Sequence, residues 1–396
     1  MRLITSLLCG VVSVFFFSSS AFALKTWQGK QRAVIILLEW GNNPAVVTKA
    51  TVEETFFADN KLSLKQFFQE NSVGTFEMTG KVLDWRHTEE TFNPNDGCDL
   101  NNIVRIAWDI FREGINIGDF DTDRNNKIDN LFIIHSGRIA SDRVGPECTF
   151  TEFDEADHTI VFQSQGLGSV GMLIPIGFYI HEGGHGYYDL PDLYSDHYHG
   201  QYGVGMWGMM GLGAWGVRND IKREDLFRYP SHFEPLSKIK IGWLKPRIVN
   251  TTQKNVALRP VEKTGDIVSV PIKSGTNLYL EYRSPVGFST EHKGHGLLIW
   301  KNYDLIQADG RDDLNNGNNL GYRPLPPISE NFGDASDPFP GSLQIKSYTA
   351  SGVRIENIVQ TAEQITFDVI YSSGDEKEPI PYLDPIVPTY SGQEKL

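Results

Sequence analysis

Hydrophobic patterning divides the chain into two textures. Residues 32–40 (Arg-Ala-Val-Ile-Ile-Leu-Leu-Glu-Trp) form a continuous apolar run of strand length, the pattern of a strand buried on both faces. Residues 63–71 place Leu64, Phe67 and Phe68 on one helical face. Residues 75–85 alternate apolar and polar and predict a strand with a turn at Gly80. In 101–114, Ile103, Ile106, Ala107, Ile110 and Phe111 fall at helical spacing, and 131–135 is a second buried strand. Strands alternating with helices predict an α+β or α/β domain. After Trp243 the texture changes. Short β-type runs at 256–258, 267–272, 278–282, 296–300, 353–358 and 365–371 are separated by Gly, Pro, Asn and Asp clusters. These predict an all-β, sandwich-like domain over 246–372, following an α+β domain over 24–245. Residues 373–396, rich in Pro, Glu, Asp and Ser, predict a disordered tail.

The beginning of the chain predicts export. Arg2 precedes an apolar run over 3–17, and Ala21-Phe22-Ala23 has the small-x-small form of a signal-peptide cleavage site. The run is too short and wrongly flanked for a spanning helix, so residues 1–23 are expected to be removed. The expected location is extracytoplasmic, either secreted or periplasmic. Cys9 leaves with the signal peptide, and Cys98 and Cys148 then predict one disulfide in an oxidising compartment. Composition adds one exclusion. A formal net charge of −14 over 396 residues repels phosphate backbones and anionic bilayers, so neither a nucleic acid nor a membrane is an expected partner.

The chemistry is concentrated at His181-Glu182-Gly183-Gly184-His185. Residues four apart share a helix face, so two imidazoles can reach one zinc ion. Glu182, pointing differently, can take a proton from the attacking water. Glycines at 183, 184 and 186 cost a helix roughly 1 kcal/mol each relative to alanine, so close backbone approach is expected there. A second cation motif lies upstream. Asp121, Asp123, Asn125 and Asp129 occupy positions 1, 3, 5 and 9 of a calcium loop, with Asn126 where glycine is usual and Phe132 where a bidentate glutamate is usual. Asp309, Asp312, Asp334 and Asp337 form a weaker acidic candidate, and a solvated Asp/Asn turn is the plainer reading of either segment.

Further segments carry a family resemblance. They are Leu190-Pro191-Asp192-Leu193-Tyr194, Trp207-Gly208-Met209-Met210-Gly211, Pro230-Ser231-His232-Phe233 and Ser237-Lys238-Ile239-Lys240-Ile241-Gly242-Trp243. Upstream lie Glu70-Asn71-Ser72-Val73-Gly74 and Asp129-Asn130-Leu131-Phe132-Ile133-Ile134-His135-Ser136-Gly137, and downstream Asp337-Pro338-Phe339-Pro340-Gly341. With the histidine motif, this set resembles the immune inhibitor A family of secreted bacterial metallopeptidases over roughly residues 30–370. The resemblance implies a zincin-like, metzincin-type catalytic domain. In it His181 and His185 match zinc ligands, Glu182 the catalytic glutamate, and Met210 the methionine beneath the metal. The family's third ligand is an aspartate, and here the spacing departs: Tyr188 and Pro191 stand at the family's glycine and aspartate positions. Asp192 matches if one residue is inserted, Asp189 competes, and His197 and His199 follow. Tyr187, Tyr188, Tyr194 and His232 are candidates for stabilising an oxyanion, although His232 reads more readily as a buried structural histidine. The expected function is a zinc endopeptidase acting on polypeptides. The alternatives are a catalytically impaired relative serving as an extracellular binding or structural protein, or a zinc hydrolase of non-peptide bonds.

Overall fold

The computed structural model describes residues 27–59, 62–93, 99–137, 150–163, 176–194, 203–214, 216, 230–273, 275–311, 314 and 333–372. The expected signal peptide, the tail, Cys98, Cys148, His197, His199 and Asp312 lie outside the described residues. The apolar run at 32–40 is the centre of β1 (Gly29–Trp40), and every residue from Ala33 to Leu38 is fully buried. Both faces are covered, which is why the run does not alternate. Ala33, Ile35 and Leu37 pack with α1 (Lys49–Phe57) and α2 (Leu64–Asn71). Val34, Ile36, Leu38 and Trp40 face the opposite layer. Ser63 caps α2, its hydroxyl accepting the Gln66 N–H.

The strand expected across 75–85 is β2 (Phe76–Val82), and no turn occurs at Gly80. Gly80 pairs with Ala33 of β1, where an added Cβ would lie 2.1 Å from the Ala33 carbonyl oxygen. Close approach of two backbones, not chain reversal, requires the glycine. β3 (Arg86–Thr88) extends the pairing along the far end of β1. The amphipathic stretch is α3 (Leu100–Phe111), ending in a 3₁₀ turn, and its apolar face covers the Val34 side of β1. β4 (Ile128–His135), β5 (Phe150–Phe153) and β6 (Ala156–Gln163) complete a sheet of order β2-β1-β4-β6-β5. All its pairs are parallel except β5–β6, so β5 forms an antiparallel edge. α4 (Ile176–Tyr188) lies on the face shared with α1 and α2 and touches β5.

α5 (Pro235–Ile241) ends at Gly242 in the left-handed conformation. Beyond it the elements are β7 (Arg247–Ile248), β8 (Gln253–Leu258), the single-turn α6 (Val261–Thr264), β9 (Ile267–Pro271), β10 (Asn277–Arg283), β11 (Gly296–Lys301), β12 (Asp304–Ile306), β13 (Tyr348–Ala350), β14 (Val353–Gln360) and β15 (Ile365–Tyr371). They form two sheets, β12-β11-β10-β9-β7 and β13-β14-β15-β8, which share one apolar core. The five-stranded sheet is buried on its other face as well. Leu278, Leu280 and Tyr282 of β10 point to the four-stranded sheet, whereas Tyr279 joins the core of the first part. The core therefore runs unbroken across residue 245, with Val261, Ile267, Leu298 and Trp300 packed among residues of the α-containing part. The same alternation buries Glu281 and Arg283 at this junction. Among the described residues, no helix is long and apolar enough to cross a membrane.

Candidate metal centre

α4 carries His181 and His185 one turn apart, with their Nε2 atoms 3.2 Å from each other. Each ring is oriented from behind. His181 Nδ1 lies 3.1 Å from the Met209 carbonyl oxygen and His185 Nδ1 lies 2.7 Å from the Leu190 carbonyl oxygen. A carbonyl can only accept, so each Nδ1 carries a proton, and each ring in its neutral form, the form a metal binds, presents its lone pair at Nε2. Asp192 Oδ1 completes the group, 3.1 Å from His181 Nε2 and 3.2 Å from His185 Nε2. Three acceptor atoms thus form a nearly equilateral triangle. A tetrahedral zinc ion with ligand distances of about 2.0–2.1 Å separates neighbouring donor atoms by about 3.3 Å. The donor set and its spacing fit that ion.

The turn after α4 explains how Asp192 reaches the histidines. Asp189 takes the left-handed conformation, at φ 48°, which a short polar residue tolerates. Its N–H donates to the His185 carbonyl, and the Leu190 N–H reaches back to the Gly184 carbonyl. The chain doubles back at once, aiming the Leu190 carbonyl at His185 and placing Asp192 over both rings. Asp189 is the exposed pivot of this reversal, and its backbone carbonyl accepts from Lys240 Nζ at 2.7 Å.

The glycines of α4 admit two neighbours. A Cβ on Gly183 would lie 2.5 Å from the Trp27 ring, and one on Gly184 would lie 2.7 Å from Met210 Sδ. Met210 is fully buried and packs against the helix at Gly184. Its carbonyl accepts the Leu193 N–H at 2.8 Å, next to Asp192. Trp27 is held in place by Trp243, whose indole N–H donates to the Trp27 carbonyl at 2.6 Å, and by the rings of Phe68, Phe76, Tyr187 and Tyr188. The role of Trp27 is not legible in its neighbourhood in sequence; the glycines at 183 and 184 were the only signal that something large lay against the helix.

Charge follows the geometry. Burial favours neutral His185, but the hydrogen bond and charge of Asp192, with Glu182 and the Leu190 carbonyl, outweigh it and raise its pKa to about 9. Partial desolvation raises Asp192, yet the two imidazoles hold it well below the usual carboxylate range. The same negative charge that favours a proton on His185 favours a divalent cation in its place. Glu182 is half-buried and acts on His185 through its charge.

The four oxyanion candidates separate. Tyr187 packs edge-on against His158 at 4.1 Å and is buried, and the Tyr188 hydroxyl accepts the Trp27 N–H. Neither side chain is turned to the triangle. Tyr194 lies beside it, its ring 5.7 Å from that of His181. The His232 side chain is fully buried and turned to other partners: its Nδ1 accepts from Lys238 Nζ at 3.1 Å and its Nε2 donates to Glu70 Oε1 at 2.6 Å. It cannot meet a substrate, and its burial agrees with the structural histidine that the sequence favoured.

Asp121, Asp123 and Asp129 also converge, each offering a carboxylate oxygen within 4.8 Å of the others. Arg124 and Asn126 adopt left-handed conformations that fold the loop. The loop satisfies much of itself: Asp121 accepts the Asn125 and Asn126 N–H groups, and Asp129 accepts Thr122 N–H, Thr122 Oγ1–H and Arg32 N–H. The Asn125 side-chain amide donates to Asp157, which the sequence reading did not include. In the downstream acidic group, Ser336 Oγ bonds both Asp309 and Asp334. Asp337 instead accepts the indole N–H of Trp207 at 2.9 Å.

No protein-family model matches the chain, and no curated protein is significantly similar to it in sequence.

Proposed function

We propose that the protein is an extracytoplasmic zinc-dependent endopeptidase. The observation that carries this reading is the triangle of His181 Nε2, His185 Nε2 and Asp192 Oδ1, with both Nδ1–H groups bonded to backbone carbonyls. These three side chains would hold the zinc. When bound, the ion polarises a peptide carbonyl and lowers the pKa of water to about 7. Glu182 accepts the proton of the attacking water and delivers it to the leaving amine. Tyr194, whose ring lies 5.7 Å from that of His181, would donate to the developing oxyanion. The substrate is an extended polypeptide. β5 is the edge strand touching α4, and among the described residues nothing pairs with its outer side, so a peptide strand could add there alongside the helix that carries the histidines. The resemblance to the immune inhibitor A family supports the same reading. Calcium at Asp121, Asp123 and Asp129 would be structural.

The alternative, a non-catalytic binding relative, drew its support from the spacing after His185. The reversal at Asp189 accommodates that spacing, which weakens it. The test is to purify the exported chain, measure bound zinc, and compare cleavage of casein or gelatin with that by Glu182→Ala. One zinc per chain and cleavage abolished by the substitution are expected. Zinc binding with equal cleavage by both chains would sink the peptidase reading.

A further inference from the structure

The segment 205–211 supports the metal centre through its backbone. Its Met209 carbonyl accepts the His181 Nδ1–H, and its Met210 carbonyl accepts the N–H of Leu193, the residue after Asp192. Two of the three metal ligands are therefore held by a stretch that has only one 3₁₀ turn, Gly205–Trp207, of regular structure. A turn this short cannot fix its own position; something behind it must.

Part of what lies behind it is His232, whose carbonyl accepts the Met209 N–H at 2.9 Å; the rest comes from the C-terminal part of the chain. The fully buried Trp207 donates its Nε1–H to Asp337 Oδ2 at 2.9 Å, across 130 residues of sequence. The same carboxylate oxygen receives the Asp334 N–H at 2.7 Å, and the Asp337 carbonyl receives the Ala308 N–H at 2.8 Å, so Asp337 is anchored in its own part. Gly333 leaves room for the indole: a Cβ there would lie 2.8 Å from Trp207 Nε1. Trp300 of β11 approaches Gly208 from the same side. A buried carboxylate is a costly acceptor for an indole, whose single N–H needs only a neutral partner. Here the same carboxylate oxygen joins the segment to the Asp334 turn of the C-terminal part.

We infer that the C-terminal β part is the rear support of the metal centre, and that Asp337 is the positioning residue through which it acts. The chain of contacts runs from Asp337 to the Trp207 indole, along two residues of backbone to the Met209 carbonyl, and into the His181 ring. This role rests on the zinc reading above. It gives the C-terminal part a function besides burying apolar surface: it keeps the Met209 and Met210 carbonyls where the two ligands need them, which slows zinc release.

The test uses the full exported chain loaded with zinc and follows transfer of the metal to a chromogenic chelator. Asp337→Leu removes the acceptor, whereas Asp337→Asn keeps one. Trp207→Phe removes the donor and keeps most of the ring, so it carries the test if Asp337→Leu does not fold. Asp368→Ala is the control: it loses bonds to Asn255 and Asn357 within the β part, away from the segment. Asp337→Leu and Trp207→Phe should each release zinc about tenfold faster, the scale on which outer-shell partners act. The double variant should be no faster than either single variant, Asp337→Asn should stay near wild type, and Asp368→Ala should lower Tm without changing release. Wild-type release rates in Asp337→Leu and Trp207→Phe, with Tm lowered as in Asp368→Ala, would overturn the inference and leave the peptidase reading intact. A wild-type chain that takes up no zinc would instead remove the zinc reading, and this role with it.

Discussion

Replacing Glu70 by glutamine should change how stability depends on pH. Glu70 Oε1 accepts from His232 Nε2 at 2.6 Å and from the Phe288 N–H at 2.9 Å, under Gly287. Burial pushes its carboxyl from 4.5 up to about 7, with Glu262 adding to the rise and the Phe288 N–H, Lys238 and Arg283 opposing it. Burial and the charges of Lys238, Arg283 and His292 keep His232 well below its ordinary value, so it stays neutral and provides no counter-charge. Folded Glu70 thus holds its proton to higher pH than the unfolded chain does. The stability it contributes is complete below pH 4.5 and is lost as pH rises through about 7. Between pH 5 and pH 8 the linkage relation gives a loss of about 2.5 kcal/mol. Glutamine keeps an acceptor and cannot ionise, so Glu70→Gln should escape that loss. Urea unfolding of the zinc-saturated chains at both pH values measures it. The stability of wild type relative to the variant should fall by about 2.5 kcal/mol from pH 5 to pH 8. A constant difference would refute the reasoning, and an opposite slope would mean that Glu70 is ionised against a protonated His232.

Four further outcomes follow from the same contacts. Asp192→Ala should weaken zinc binding far more than Asp189→Ala, measured by competition with a chelator, because only Asp192 meets both imidazoles. Gly183→Ala gains up to about 1 kcal/mol of helix propensity, but its methyl meets a Trp27 ring that five neighbours fix, an overpacking cost of about 1–3 kcal/mol. Lower Tm and weaker zinc retention are expected, and a more stable variant with full zinc would contradict the contact. Burial, with the charges of Asp334 and Asp309, lifts Asp337 to about 7, so wild type should lose stability relative to Asp337→Asn as pH rises from 4 to 8 in thermal melts. Adding calcium should raise Tm in wild type and less in Asp121→Ala/Asp123→Ala, as differential scanning calorimetry would record.

The regular elements were largely legible from local pattern. The run at 32–40 is buried on both faces, the helix face built on Leu64, Phe67 and Phe68 packs as its spacing implies, and the β runs after Trp243 form strands. Local signals misled at Gly80, where glycine serves an approach by a strand distant in sequence. They also could not place His232, because its partners Glu70 and Lys238 come from two helices.

For the site, sequence alone determined the residue types and the helical spacing of His181, Glu182 and His185, since both are local properties of five residues. Whether the acidic residue at 189 or at 192 comes to them depended on a single left-handed φ at Asp189. The proton positions of the two histidines depended on carbonyls at Met209 and Leu190, which every residue carries and no side-chain pattern announces. The support behind Met209 depended on an aspartate 130 residues beyond Trp207. Contacts through backbone and across long separations leave no periodicity in a sequence; they exist only when the chain has closed on itself.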